Sequence, residues 1–535
     1  MPNDVPSSHV NAGDVVPGTV DVAVVGYGPV GMAVAALLGQ AGHRVLALER
    51  YSGLYALPRA AIFDDETMRT FARLGIAEGL LPKLHVQRNY EWRNGRGELL
   101  IEHDFAETGR SGWAEWYMMY QPDLEDALNG VCAASAGVEV RHDSPVTAIE
   151  QDADGVTVTV GGGEQVRARY VIACDGGNSF VRSALGVGQQ DYGFSEPWMV
   201  CDFRFRRPTE IPTALQLGDP AGPTSIISLG PDHHRFSFML DSEEDFAVER
   251  EPAKVWARVA RFLTPEDADL IRVATYTFRS LVADDWRIGR VLLAGDAAHQ
   301  MPPFLGQGMC SGVRDAQNIA FKLDLALRGL REVELLDTYQ TEREPHVRAV
   351  IEKGIELGRI QTIRDPERAA ARDAELMARL GDAATPEKIR FPGLGPGLHV
   401  DGGGALSVQG VIDDGRRTGL LDQVCGAGFH LVVRPELVAA LGQRVETLRA
   451  AGVVVVAPGA RSGPSPLVRD VDGTYASWLA ELGADAAVVR PDFYLFGTAT
   501  GPDVVALVDA LLSALAAPNP ASAGSPLVTA GARRN

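Results

Sequence analysis

Asp21-Val22-Ala23-Val24-Val25-Gly26-Tyr27-Gly28-Pro29-Val30-Gly31 is the stretch on which the fold class turns. Residues 21–25 read as a parallel strand covered on both faces by helices. A helix of small and apolar residues follows from Pro29 to Gln40, Gly42 ends it, and Val45 to Leu48 form the next strand, closing on Glu49. This is a βαβ opening of an α/β fold. Gly26 permits the tight turn, Gly28 lets the backbone approach a pyrophosphate, and Gly31 lets the helix pack closely on the strand. Pro29 and Val30 sit on the first helical turn, where free N–H groups and the positive dipole end face the phosphates. Glu49 lies at the end of the second strand, where a carboxylate can accept ribose hydroxyls, and Arg50 follows it.

Two further runs extend that site. Val171 to Ala173 is an apolar strand that delivers Asp175 and Gly176 to its carboxyl end, with Ser179 and Arg182 on the next turn. Such strand ends are the ligand edge of open α/β sheets. The third run, Arg290 to His299, does the same with Gly295 and Asp296. A carboxylate there can accept hydrogen bonds from ribityl or ribose hydroxyls. Met301 to Gly308 then brings backbone close to something flat, and a helix beginning near Met309 aims its N–H groups at that object. Alone, each run is compatible with an ordinary turn. Together and in this order they describe a site that holds FAD along its length.

The chain has 535 residues, too many for one ordinary core, which predicts two or three domains. A net charge of −20 argues against nucleic acid or an anionic membrane as partner, since both reward basic surface. No apolar run reaches the length of a membrane span, and residues 1–20 lack a signal-peptide pattern and read as a disordered leader. The five cysteines are scattered without a C-x-x-C pair, so we expect free thiols in a reducing cytoplasm and no metal site.

The pattern is β-like from Trp198 to Phe238 and returns to a parallel type at Val291. The expected organisation is therefore a discontinuous nucleotide domain (21–187 and 281–370) with an antiparallel sheet lobe inserted at 188–280. A Pro/Gly-rich linker (371–404), a small α/β domain (405–515) and a disordered tail (516–535) complete it. In the lobe, Trp198, Phe203, Phe236 and Phe238 are candidates to line a pocket for a flat ring, although alternation along strands makes about half of such residues plain core. His234, beside His233, is a candidate for proton transfer.

On the three runs, and on Leu57-Pro58-Arg59-Ala60, Asp64-Asp65-Glu66, Gln121-Pro122 and the long run Gly295 to Lys322, the chain resembles the class A FAD-dependent aromatic hydroxylases. These are the group of p-hydroxybenzoate and phenol hydroxylases, and within it the likeness is to the 3-(3-hydroxyphenyl)propionate hydroxylases. The resemblance implies a Rossmann-like FAD-binding domain, an inserted substrate lobe and a thioredoxin-like C-terminal domain. That last domain lacks the redox cysteine pair, which suits packing or dimerisation. It also implies that Glu49 binds the adenosine ribose, that Arg59 and Gln121 contact the phosphate and ribityl region, and that Asp296 binds the sugar portion. The backbone at Gly308, Met309 and Cys310 would meet the pyrimidine edge, Asp175 would lie near FAD and the nicotinamide donor, and the carbonyl of Pro303 would face the substrate. Many relatives have asparagine where Cys310 stands. The implied reaction is hydroxylation of a phenol in the cytoplasm, with NADH or NADPH and O2, through a flavin C4a-hydroperoxide, in a protein expected to be a homodimer. Alternatives are a tailoring oxygenase acting on a polycyclic phenol or polyketide, and a non-catalytic FAD-binding module.

Overall fold

A computed structural model describes residues 19–331, 333–381 and 391–515. The leader and tail expected at the two ends fall almost wholly outside the described residues. The chain begins as its sequence dictates: β1 (Val20–Val25), α1 (Pro29–Gln40) and β2 (Val45–Leu48), with every side chain of β2 buried. β3 (Val138–Arg141) and β4 (Glu164–Ala173) follow in the same sheet. The chain then leaves to build a second sheet from β5 (Gln189–Phe205), β6 (His233–Met239) and β7 (Ala268–Ala283). It returns as β8 (Val291–Leu293), α2 (Gln307–Leu327) and α3 (Thr338–Gln361).

In the first sheet the parallel order is β8-β4-β1-β2-β3. Strand order therefore reverses between β1 and β4, and a crevice opens at the carboxyl ends of those two strands, where such sheets bind ligands. The second sheet is antiparallel around β7-β5-β6, and its outer face packs on the helix Pro252–Val259 through Val255 and Val259. Two strands from outside the segment read as the lobe complete this sheet. Tyr90–Asn94 pairs in parallel with Ala214–Gly218, and Leu99–His103 forms its edge. Nothing local in residues 90–103 announces a partner 120 residues away.

Residues 371–381, expected to be linker, form the end of a helix (Pro366–Gly381) whose Arg372 donates to the carbonyls of Gly218 and Ile360. The C-terminal region has a four-strand core in the order Val453–Gly459, Phe429–Val433, Ala486–Val489, Leu495–Ala499. The first two are parallel, the other pairs antiparallel, and a helix (Asp503–Leu515) closes the unit. Among the described residues no helix is long and apolar enough to cross a membrane.

Candidate active site

The glycine run takes the shape that its sequence requires. Gly26 has φ +95°, and a Cβ there would sit 2.5 Å from the carbonyl oxygen of Cys174 at the end of β4. A Cβ on Gly31 would overlap the Gly26 carbonyl and touch the Cys174 side chain at 3.4 Å. These two glycines join the first run to the second. Gly28 differs: it is the N-cap of α1 in extended conformation, and a Cβ there would meet nothing within 4 Å. The space over Gly28 is a cleft of about 270 Å³, lined by Gly26, Gly28, Glu49, Arg50, Arg59, Asp175 and Gly176 among others. An open cradle above helical N–H groups suits a pyrophosphate.

The carboxylate of Glu49 accepts from the backbone N–H of Tyr27 at 2.8 Å and of Tyr51 at 3.1 Å, which fixes it at the mouth of this cradle. Arg59 stacks on Tyr55 (4.1 Å from guanidinium carbon to ring centroid) on the opposite lip. Gln121 stands behind that lip: its Oε1 accepts from the N–H groups of Arg59 and Ala60, so it acts through the loop and does not line the cleft.

The second and third runs are tied directly. Arg182 donates to the carbonyls of Gly177 (2.7 Å) and Ala297 (3.0 Å), and Gln300 donates to Gly177 (3.1 Å). Asp175 is already engaged, accepting from the Ser179 hydroxyl and the Val181 N–H. Asp296 is exposed on the neighbouring loop; desolvation by the surrounding chain pushes its carboxyl above the usual range, partly offset by His299 and Arg59. Gly295 (φ +58°) faces Val30, where a Cβ would lie 3.1 Å from the valine Cγ2, so the third run passes close to the start of α1. Sequence reasoning missed Asp315 as the pin of this loop. Its carboxylate accepts from Gly295 N–H (3.1 Å), His299 Nε2 (2.6 Å) and Arg343 Nε (3.0 Å).

The helix after the turn starts at Gln307, two residues before the expected start, because Gly306 adopts φ +62° and serves as its cap. Gly308 and Met309 lie on its first turn, where N–H groups have no helical partner. Cys310 is fully buried, its thiol against the Gly306 carbonyl and pushed up to about 12 by desolvation, so only its backbone is available to a ligand.

The substrate-lobe candidates divide by strand parity. Trp198 lies on the inner face of the sheet, its ring 5.9 Å from that of Phe304 in the turn after Pro303. Phe203, Phe236 and Phe238 do not line the site. They pack into the outer core against Val255 and Val259. Along a strand alternate residues face opposite sides, and here both sides are covered, so apolar character alone could not choose between them. His234 is corrected for the same reason. It is paired with Phe203, bonded to the Pro212 carbonyl at 3.0 Å, and burial pushes it down to about 4, so it sits neutral and away from the cleft. Pro303 is exposed at the turn.

The inner face instead carries a polar chain that the sequence did not reveal. Asp202, fully buried, holds Arg235 through two bonds (2.6 and 3.1 Å) and Arg272 through one (3.0 Å). Arg235 also donates to the Pro58 carbonyl at 3.0 Å, and Arg272 donates to the hydroxyl of the exposed Tyr276. Tyr276 stands directly opposite Trp198 in the register.

Asp296→Ala is expected to weaken FAD binding about 10- to 100-fold, the range for a hydrogen bond to a charged group, with the apoprotein melting unchanged. Asp175→Ala should instead lower the melting temperature, since it removes the acceptor for Ser179 and Val181. Equilibrium dialysis and melting of both apoproteins check this division.

These residues fit FAD: an open glycine cradle and a ribose acid line one crevice, and an accessible second acid and a helix start stand on the run that Arg182 ties to it. Residues 19–354 match the family described as FAD binding domain, and residues 404–514 the one described as HcaD C-terminal domain. The chain is 48% identical over 516 residues to a protein of Rhodococcus jostii (strain RHA1) named "Probable NADH-specific resorcinol 4-hydroxylase", covering 95% of this chain and 97% of that one. It is 33% identical to the 3-(3-hydroxy-phenyl)propionate/3-hydroxycinnamic acid hydroxylase of Mycobacterium avium (strain 104), covering 92% of each. In fold it matches the flavin-dependent monooxygenase PieE, solved with FAD and substrate, at a TM-score of 0.77 over 93% of this chain and 99% of that one, with 24% identity. The chain belongs to the class A FAD-dependent aromatic hydroxylases.

Proposed function

We propose that this enzyme hydroxylates a single-ring phenol, resorcinol or a near relative of it, with NADH as electron donor. The reading is carried by the near full-length likeness to the resorcinol hydroxylase, and supported by the Asp202–Arg235–Arg272 chain that ends on Tyr276 on the inner face. FAD, when bound, supplies the electron transfer and the oxygen chemistry. Gly28 and the first turn of α1 would hold its pyrophosphate, Glu49 and Asp296 its sugar hydroxyls, and Gly308 and Met309 its ring edge.

What the chain adds is orientation and charge. Phe304 would wall a flat ring with the buried Trp198 packed behind it, and the Pro303 carbonyl would face it. Tyr276 would meet a ring hydroxyl at the far end. Because Arg272 donates to the Tyr276 oxygen, the tyrosine O–H becomes a stronger donor and favours the ionised phenol, whose ring is the more electron-rich. Tyr276→Phe is expected to lower kcat/KM for resorcinol about 10- to 100-fold while FAD stays bound. An unchanged value would remove Tyr276 from the site.

The test of the whole reading is resorcinol-stimulated NADH oxidation, with oxygen from labelled O2 in the product. A product without label would exclude it, and faster turnover of a polycyclic phenol would favour the tailoring reading. We read residues 405–515 as thioredoxin-like, on the β-α-β-α-β-β-α order of its four-strand core and its parallel-antiparallel pairing. Its one cysteine, Cys425, has no partner cysteine and burial pushes it up to about 11, so the domain acts by packing. A cytoplasmic location is supported by five free thiols.

A further inference from the structure

Helix α3 passes beneath the Pro302–Leu305 turn with two glycines on one face, Gly354 and Gly358, a turn apart. A Cβ on Gly354 would lie 3.2 Å from the Pro302 ring. A Cβ on Gly358 would lie 2.6 Å from Cδ2 of Phe304 and nearer still to its Cε2. The same ring meets Trp198 edge-on at 5.9 Å and 69°, and Phe194 at 5.9 Å and 83°. The end of the helix is tied to the second sheet. Gln361 at its end donates to Gln216 of the second sheet at 2.8 Å, and Thr362 donates to Glu196 at 2.7 Å.

We propose that Gly358 sets the position of Phe304 and so the size of phenol that the pocket accepts. The proposal rests on the phenol-hydroxylase reading and adds its size limit. Carbon atoms settle about 3.5–4.0 Å apart, so a methyl at 358 requires the ring to move by roughly 1 Å. Gly358, Trp198 and Phe194 close three of its sides. The half-buried ring is then displaced away from these three neighbours, and the proposed function places the substrate on the side left to it. With glycine at 358, Phe304 occupies the space that a side chain at that position would take, and so leaves room on its other side to the substrate.

The experiment compares resorcinol with its two-ring homologue, naphthalene-1,3-diol, both as kcat/KM and as dissociation constants read from perturbation of the flavin absorbance. Gly358→Ala is expected to lower the bicyclic-to-monocyclic ratio at least tenfold with FAD retained. Phe304→Leu should raise the ratio, and the double variant should return it toward wild type, a rescue that general destabilisation does not produce. A ratio unmoved in FAD-loaded Gly358→Ala overturns the proposal. Should that variant fail to hold FAD, Phe304→Leu decides alone, and an unmoved ratio there is equally fatal. Wild-type enzyme that binds neither diol overturns the phenol reading itself, and the proposal with it.

Discussion

Gly31→Ala is expected to purify nearly colourless, its FAD affinity reduced about 10- to 100-fold. The added methyl would overlap the carbonyl of Gly26, a backbone group whose neighbour across the joint, Cys174, leaves no room even for a Cβ on Gly26. Overpacking of this kind costs about 1–3 kcal/mol. The strain is relieved by lifting the start of α1 away from β4, which opens the cradle that the pyrophosphate needs. At about tenfold per 1.4 kcal/mol, the loss appears directly in cofactor affinity. Gly28→Val is the instructive contrast. Its side chain meets no protein atom, so the apoprotein should lose far less stability, yet the cradle is filled and FAD is excluded. The ratio of flavin to protein absorbance and the melting of both apoproteins separate the two effects. Gly31→Ala carrying stoichiometric FAD would show that the joint between the first two runs has been misjudged.

Arg490→Leu should cost about 3–5 kcal/mol, the penalty for leaving buried carboxylates without their cation. Arg490 is fully buried and spans the boundary between the C-terminal domain and α3. It grips Glu342 at 2.9 and 2.7 Å and Asp492 at 3.0 and 2.6 Å, and donates to the Leu398 carbonyl at 3.0 Å. Lys322 of α2 reaches Glu342 from the other side at 2.7 Å, and Asn318 bonds both acids. Burial by itself would raise the Glu342 carboxyl, but Arg490 and Lys322 prevail and hold it well below the usual range. A carboxyl lowered on folding adds stability above its unfolded pKa of about 4.3, and that stability is lost as pH falls through the folded value. The gap between wild type and Arg490→Leu should therefore be widest near pH 7 and narrow below about pH 4. Arg490→Lys, which keeps the charge but not the two-pronged geometry, should fall between them. Urea unfolding at both pH values measures this; equal gaps would mean that the ion cluster contributes little.

The same helix α2 shows where sequence reading is strong and where it stops. Asp315, Asn318 and Lys322 lie in the run that carried the family likeness, and nothing in the sequence assigned them partners. All three turn inward, Asp315 to His299 and Gly295, the other two to Glu342. Arg314, beside them, is buried between Asp64 and Glu66. They hold the flavin turn in place from behind. Their partners come from more than a dozen residues away, and in the case of Asp492 and Arg490 from another domain, so no spacing rule could pair them. Tyr276 was invisible for a related reason: its importance lies in Arg272 and Asp202, and the second of these sits on a neighbouring strand.

By itself the amino-acid order determined the crevice. A glycine that must turn, one that must leave room and one that must let a helix approach are local steric demands, met within a few residues. Only the folded chain decided which side of the inserted sheet looks at that crevice. Alternation assigns Trp198 and Phe203 to opposite faces, but with helix on one face and the flavin turn on the other, both positions take a buried aromatic ring and the pattern carries no sign.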